Sequence, residues 1–445
     1  MAVAVEVLPE ALSGRFRGSF AYKTIKDRLP KILTKAVDTI YRQRTVLATK
    51  HGECGLDDFK LTVGRLSKLR YELQTNKPMY KLTDKHADVE LWNQYYDKEK
   101  ERNGMDPCWF TNAWLYVECF MYRSIKETLA LSMFLKDFDP FEEQKRSAFM
   151  SSQTPIVTLA NHLLHIVSSN EHRDADLLEK DFRHMVELSL WGNKNDLSIS
   201  GGSENYQKAD PLEQLDELQP YILVDQINDM WRHLKSCANR KCGRCRIDII
   251  LDNAGFELFG DLCFAEFLLR MGLASEVHLH AKAMPWFVSD TTSQDFWWTL
   301  EMLQASNNGE LSRLGTRWHQ HIKDETFFLK QDDFWTLPHN YAELRAMAPQ
   351  LYQDLSASDL VVFKGDLNYR KLTGDLQWPH TTPFVDALQG FLPAPLCVLR
   401  TLKADLVVGL QEGQDKQAEE KASDWMVSGN FAVVQFYVDR AWEQL

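Results

Sequence analysis

The run Arg246-Ile-Asp-Ile-Ile-Leu251 ends in Asp252, Asn253, Ala254 and Gly255. An apolar, β-branched run reads as a buried strand. A strand that delivers a carboxylate and a carboxamide into one loop suits a hard cation such as magnesium or manganese, which prefers oxygen donors. Pro285-Trp-Phe-Val-Ser-Asp290 repeats the design, and Asp359-Leu-Val-Val-Phe-Lys364-Gly365-Asp366 closes on a Lys-Gly-Asp turn. Open α/β sheets bind ligands beyond the carboxyl ends of their strands, so Asp252, Asn253, Asp290 and Asp366 point to one shared site. Two carboxylates and an amide oxygen leave open positions on an octahedral ion for water and a phosphate oxygen. Such an ion polarises a phosphoryl group and acidifies water. Lys364, Arg370 and Lys371 after one strand, and Arg400 and Lys403 at another, could balance the remaining phosphate charge. Each residue also has a plain structural role open to it. Asp-Asn-Ala-Gly is a turn signal, Asp290 could cap a helix, and Lys403 could be a surface lysine.

The elements that must carry these residues divide at about the middle of the chain. Residues 1–200 read as a helical region and 201–445 as an α/β region. Leu29 to Tyr41, Phe59 to Leu73, Trp109 to Phe134, Thr158 to Val167 and Leu177 to Trp191 carry apolar residues at helical spacing, which core packing explains. Gly201 to Pro211 is rich in turn formers and reads as a loop. Leu223 to Cys237 reads as one more helix. Strands are expected at Ile247–Leu251, Glu276–Ala281, Trp286–Val288, Leu360–Phe363, Leu396–Leu402 and Phe431–Tyr437, with helices at Leu262–Met271 and Phe296–Leu303. This alternation predicts an α/β fold whose mainly parallel sheet is covered on both faces. Gln411 to Asp424 reads as a solvated excursion.

The chain has 445 residues, enough for two domains or one large α/β domain. Its net charge of −12 argues against a general nucleic-acid binder. No secretory leader or membrane-length apolar run stands out, so the expected setting is the cytosol or nucleus, with no membrane partner. The eight cysteines do not make a disulfide framework. Cys237, Cys242 and Cys245 cluster near His233, but no second ligand pair completes a zinc set, and thiols on a loop are the expected reading.

The run Leu251-Asp252-Asn253-Ala254-Gly255-Phe256-Glu257-Leu258 resembles the signature of the metal-dependent damage-control phosphatases, once a domain-of-unknown-function family. Lys364 to Asp375 resembles the family's second signature, and Arg400-Thr401-Leu402-Lys403 matches the Arg-Thr-x-Lys motif of its third subfamily. The likeness extends over nearly the whole chain. It implies a Rossmann-like α/β/α sandwich behind a helical N-terminal region. It also implies a divalent metal, manganese or magnesium with cobalt or nickel as substitutes, held by Asp252, Asn253 and Asp290. Asp366, Leu367, Asn368, Tyr369 and Arg370 should line the phosphosubstrate beside Asp252 and Asn253. Lys403 should bind the phosphate, and Glu257 should face the site. The implied partner is a small phosphorylated metabolite such as fructose 1-phosphate or fructose 6-phosphate. Water or Asp252 could attack phosphorus. Haloacid-dehalogenase phosphatases pair their nucleophile with an aspartate two positions later, and Ala254 stands there, which favours water.

Two rival functions use the same residues. An S-adenosylmethionine-dependent methyltransferase acting on protein glutamate carboxylates has been proposed within the family. The loop after Leu251 lacks the Gly-x-Gly-x-Gly pattern, however, and methyl transfer needs no carboxylate-bound metal. A non-catalytic sugar-phosphate sensor is the third reading, and it could do without the metal ligands.

Overall fold

The computed structural model describes residues 8–168, 174–192, 214–240 and 244–439. Its first part is helical: α1 (Leu29–Arg42), α2 (Arg44–Gln74), α3 (Val89–Asn103), α4 (Trp114–Ala130), α5 (Glu142–Ser151), α6 (Gln153–Ser168) and α7 (Ala175–Trp191). Leu29, Leu33, Ala36 and Ile40 form the buried stripe of α1, and Pro30 sits in its first turn, where no helical N–H is lost. The loop expected at Gly201–Pro211, and the division placed at residue 200, fall outside the described residues.

The second part follows as β1 (Ile222–Asp225), α8 (Ile227–Ala238), β2 (Arg246–Ile250), α9 (Phe256–Arg270), β3 (Glu276–Ala281), α10 (Ser293–Gln304), α11 (Gly309–Lys323) and β4 (Phe327–Gln331). It ends with β5 (Leu360–Lys364), α12 (Gly365–Leu372), β6 (Leu396–Thr401), α13 (Gln414–Lys421) and β7 (Ala432–Tyr437). The sheet order is β1-β7-β6-β5-β2-β3-β4. Strands β6, β5, β2, β3 and β4 run parallel, while β7 is antiparallel to β6 and parallel to β1. From β2 the chain moves outward through β3 and β4, then returns to place β5 on the other side of β2. The crevice between β2 and β5 is therefore the point where strand order reverses, the usual ligand position in such sheets.

Both faces of the sheet are covered. Val361 and Phe363 of β5 face a core shared with α1–α4, whereas Leu360 and Val362 face a core shared with α6–α11. Two-residue alternation puts neighbours on opposite faces, so a doubly covered strand must be apolar throughout. The α/β sandwich with a helical N-terminal region is thus the architecture. Among the described residues no helix is long and apolar enough to cross a membrane.

Several elements differ from expectation. Leu223–Cys237 is not one helix: β1 ends at Asp225, whose carboxylate accepts the Ile227 N–H at 3.1 Å and opens α8. The long helix runs Trp114–Ala130, shorter than Trp109–Phe134. Trp286–Val288 is a turn, because Phe287 (φ 45°) and Val288 (φ 71°) adopt left-handed backbone that no strand accommodates. The excursion at Gln411–Asp424 contains α13, which buries only Ala418. Cys237 is a buried thiol in the last turn of α8, not a loop thiol; Cys245 is buried in the connection just before β2, and Cys242 lies outside the described residues.

Candidate active site

Strand β2 runs out into Asp252, Asn253 and Ala254, and two hydrogen bonds tie this main chain to residues 289–291, at the end of the Trp286–Asp290 turn. Thr291 N donates to Asp252 O at 2.7 Å, and Ala254 N donates to Ser289 O at 2.8 Å. Asn253 and Asp290 form an isolated antiparallel bridge. The strained pair Phe287–Val288 makes this docking possible, and backbone strain of this kind gathers at functional sites. Ser289 Oγ donates to Asn253 Oδ1 at 2.6 Å, while Asn253 Nδ2 donates to Asp252 Oδ2 at 3.0 Å and to Glu257 Oε2 at 2.8 Å. Glu257 thus stands behind Asn253.

Strand β5 delivers Lys364 and Gly365. Gly365 has φ 80°, and a Cβ built on it would lie 1.8 Å from Asp252 Oδ2. The glycine is required twice over, for its backbone and for the space the carboxylate occupies. The same turn starts α12, whose first N–H groups have no partner within the helix, and its residues Asp366 and Leu367 line the crevice. Helix starts of this kind favour anions.

Asp252, Asn253, Asp290, Asp366, Leu367, Arg370 and Lys403 line one narrow, open-mouthed cleft of about 70 Å3. Asn368 and Tyr369 turn their side chains elsewhere. Asn368 Nδ2 donates to Lys364 O at 2.7 Å and Ile250 O at 3.3 Å, and its oxygen accepts from the Tyr341 hydroxyl. The Tyr369 hydroxyl accepts from Val408 N at 3.0 Å. Neither residue lines the cleft.

The cations separate in the same way. Lys364 is buried and donates to Glu257 at 3.0 Å, Asp261 at 2.6 Å and Ser189 O at 2.8 Å. Lys371 is buried on three backbone carbonyls, and burial pulls its pKa down to about 8. Arg400 is buried too. It donates to Asp366 Oδ1 at 2.8 Å, and the same oxygen accepts the Lys403 N–H at 3.1 Å, which fixes the Lys403 loop against α12. Arg370 reaches the cleft with its guanidinium gripped by Asp375 at 2.8 and 3.0 Å and by Glu118 at 2.7 Å, 3.6 Å above the Trp114 ring. Asp375 Oδ2 also accepts the Leu115 N–H at 3.0 Å, at the start of α4.

Sequence reasoning missed the opposite wall. Arg28, Trp114, Glu118, Tyr122 and Phe287, together with Ser289, complete the cleft, and the first four come from the helical part. A signal for Glu118 existed: it is a carboxylate inside the otherwise apolar first turns of α4. Lys282 was also missed. It is buried, donates to Leu251 O at 2.6 Å and sits 3.3 Å from Asp290 Oδ2.

The electrostatics favour a cation. Burial, then the charges of Glu257 and Asp290, push the Asp252 carboxyl well above the usual range, against the pull of Lys282 and Lys403. Acids crowded in a dry place oppose their own ionisation, and a divalent ion relieves that cost. Among the described residues no three His, Cys, Asp or Glu side chains are arranged to hold a metal. The candidate set is two carboxylates and a carboxamide, so the oxygen donors fit a hard ion that keeps several waters.

A family model described as the damage-control phosphatase ARMT1-like domain matches residues 24–418. Proteins named damage-control phosphatase ARMT1 are similar along almost their full length. The one from Xenopus tropicalis is 47% identical over 432 residues, 96% of this chain and 98% of its own. The one from Homo sapiens is 44% identical over 436 residues, 97% of this chain and 99% of its own. A solved structure of a DUF89 family protein from Pyrococcus horikoshii aligns over 86% of this chain and 97% of its own, with 14% identity and a TM-score of 0.41.

Proposed function

The chain belongs to the damage-control phosphatase ARMT1-like family and is a phosphatase of small phosphorylated metabolites; we propose that its substrates are sugar phosphates, fructose 1-phosphate and fructose 6-phosphate among them. We further propose manganese or magnesium as the metal, with Asp252, Asn253 and Asp290 as its ligands. One observation carries the reading: these three side chains, Lys403 and the start of α12 border the same cleft at the point where strand order reverses.

When bound, a divalent ion supplies charge to a phosphoryl oxygen and makes water a better nucleophile. The rest falls to the chain's own residues. Lys403 offers a point charge to the phosphate, and the α12 N–H groups offer hydrogen bonds to its oxygens. Asp366 holds the Lys403 loop and Arg400 together, so it acts on the phosphate through Lys403. Ala254 stands where haloacid-dehalogenase phosphatases carry their second aspartate, so that acid/base arrangement is missing, which favours water over Asp252 as the attacking group. Lys282 and Lys403 keep Asp252 nearer its charged form in a place that otherwise disfavours it.

The test is phosphate release from both fructose phosphates by the manganese-loaded protein, by the chelated protein and by Asp252→Ala. Release that needs the cation and vanishes in Asp252→Ala is expected. No release from either sugar phosphate, with methyl transfer from S-adenosylmethionine to protein carboxylates instead, would overturn the proposal.

A further inference from the structure

The wall opposite the metal ligands has a chemistry of its own. Trp114, Glu118 and Tyr122 lie four residues apart on α4, so they form one stripe that faces the cleft at one residue per turn. Half-buried Arg28, from the π-helical turn Thr24–Arg28, joins them. Phe287 stacks on Tyr122 with ring centres 4.7 Å apart at 23°. Glu118 spends one oxygen on Arg370. Among the described residues its other oxygen, the Tyr122 hydroxyl and the Arg28 guanidinium make no hydrogen bond.

An acceptor, a donor and a hydroxyl that is both therefore face a phosphatase cleft with unused capacity, flanked by aromatic rings. A ligand that fits must offer several groups able to donate and accept, with C–H surface for the rings. A hydroxylated carbon chain does this. An aryl or alkyl group would leave the three polar groups unpaired, and a site built to bond hydroxyls rejects analogues that lack them. A second anion is disfavoured by Glu118, whose charge Arg370 and Arg28 partly offset.

We propose that Arg28, Glu118 and Tyr122 form a polyol-reading wall that selects phosphomonoesters whose alcohol is a hydroxylated chain. The wall deepens the sugar-phosphate reading above and rests on it. It leaves bond breaking to the opposite side of the cleft and acts on substrate choice.

The test uses the full-length, manganese-loaded protein, with fructose 6-phosphate and para-nitrophenyl phosphate as substrates. Tyr122→Phe keeps the ring stack and removes the hydroxyl; Arg28→Gln changes a half-buried residue. The readout is kcat/KM for the sugar phosphate divided by kcat/KM for the aryl phosphate. Each variant should lower that ratio about tenfold, mainly through the KM of the sugar phosphate. A wild-type preference for the sugar that both variants keep would refute the wall and leave the sugar-phosphate reading standing. An equal loss on both substrates would also refute it, since that marks a scaffold role. A wild-type protein with no preference would overturn the substrate class, and the wall with it.

Discussion

Replacing Gly365 by alanine tests the packing of the site most directly. The added Cβ would lie 1.8 Å from Asp252 Oδ2, 2.2 Å from its Cγ and 2.9 Å from its Cβ. A comfortable contact is about 3.5 Å, so the carboxylate must retreat by roughly 1.7 Å or the α12 turn must move as far. A misplacement of about 1 Å at a reacting centre can cost on the order of 100-fold. Alanine at φ 80° also carries left-handed strain of about 1–2 kcal/mol. The expected result is a kcat at least about 100-fold lower with saturating fructose 1-phosphate and manganese, together with a lower melting temperature. Gly413→Ala is the control: it has φ 81° and nothing within 4 Å of its built Cβ, so it carries strain without the clash. Gly413→Ala should lose stability and keep kcat. If Gly365→Ala behaved like the control, Asp252 would not need the position described for it.

Lys403→Ala should raise the KM for the sugar phosphate more than tenfold, because a charged hydrogen bond contributes about 1.5–3 kcal/mol; unchanged steady-state constants would remove Lys403 from the site. Lys364→Met should cost about 3–5 kcal/mol in urea unfolding, since it leaves Glu257 and Asp261 buried without their cation. A loss under about 1 kcal/mol would show that those carboxyls simply take up protons. His278 predicts a pH effect. Burial pulls its pKa from 6.5 down to about 4, helped by Arg246, Lys330 and His280 and opposed by Asp248, whose carboxylate is 3.8 Å away. The fold therefore favours the neutral ring. That stability is intact above pH 6.5 and drains away as pH falls toward 4, by about 3 kcal/mol in all. His278→Phe should flatten this part of the unfolding profile, and an unaltered acid limb would rule the residue out.

The central strands were legible because they are buried on both faces. Ile247-Asp-Ile-Ile and Leu360-Val-Val-Phe read as strands without help from context. The strands β1 and β4 were not, since they lie at the sheet's two ends. Phe327-Phe-Leu-Lys-Gln331 mixes apolar and polar residues, as an edge permits, and Ile222–Asp225 is four residues long and runs almost directly into a helix. Trp286–Val288 deceived by composition: bulky residues in left-handed backbone give a sequence no warning. For the cleft, Asp252, Asn253, Asp290, Arg370 and Lys403 could be found from strand ends and motifs. Arg28, Glu118 and Tyr122 could not, because a helical stripe lining a cleft has the same period as one lining a core. Lys364, Lys371 and Arg400 looked like phosphate cations in sequence; only tertiary contacts reveal their buried partners.

Asp375 deserves to be seen as a mechanical part. Its two oxygens hold Arg370, one of them also takes the Leu115 N–H at the head of α4, and its carbonyl receives the N–H of Leu12. A single carboxylate thus clamps both banks of the cleft at a fixed gauge. Chain segments more than 250 positions apart cannot drift independently while it stays in place. The opening is set by a strut rather than by a hinge, so ligand length should be limited by the framework itself.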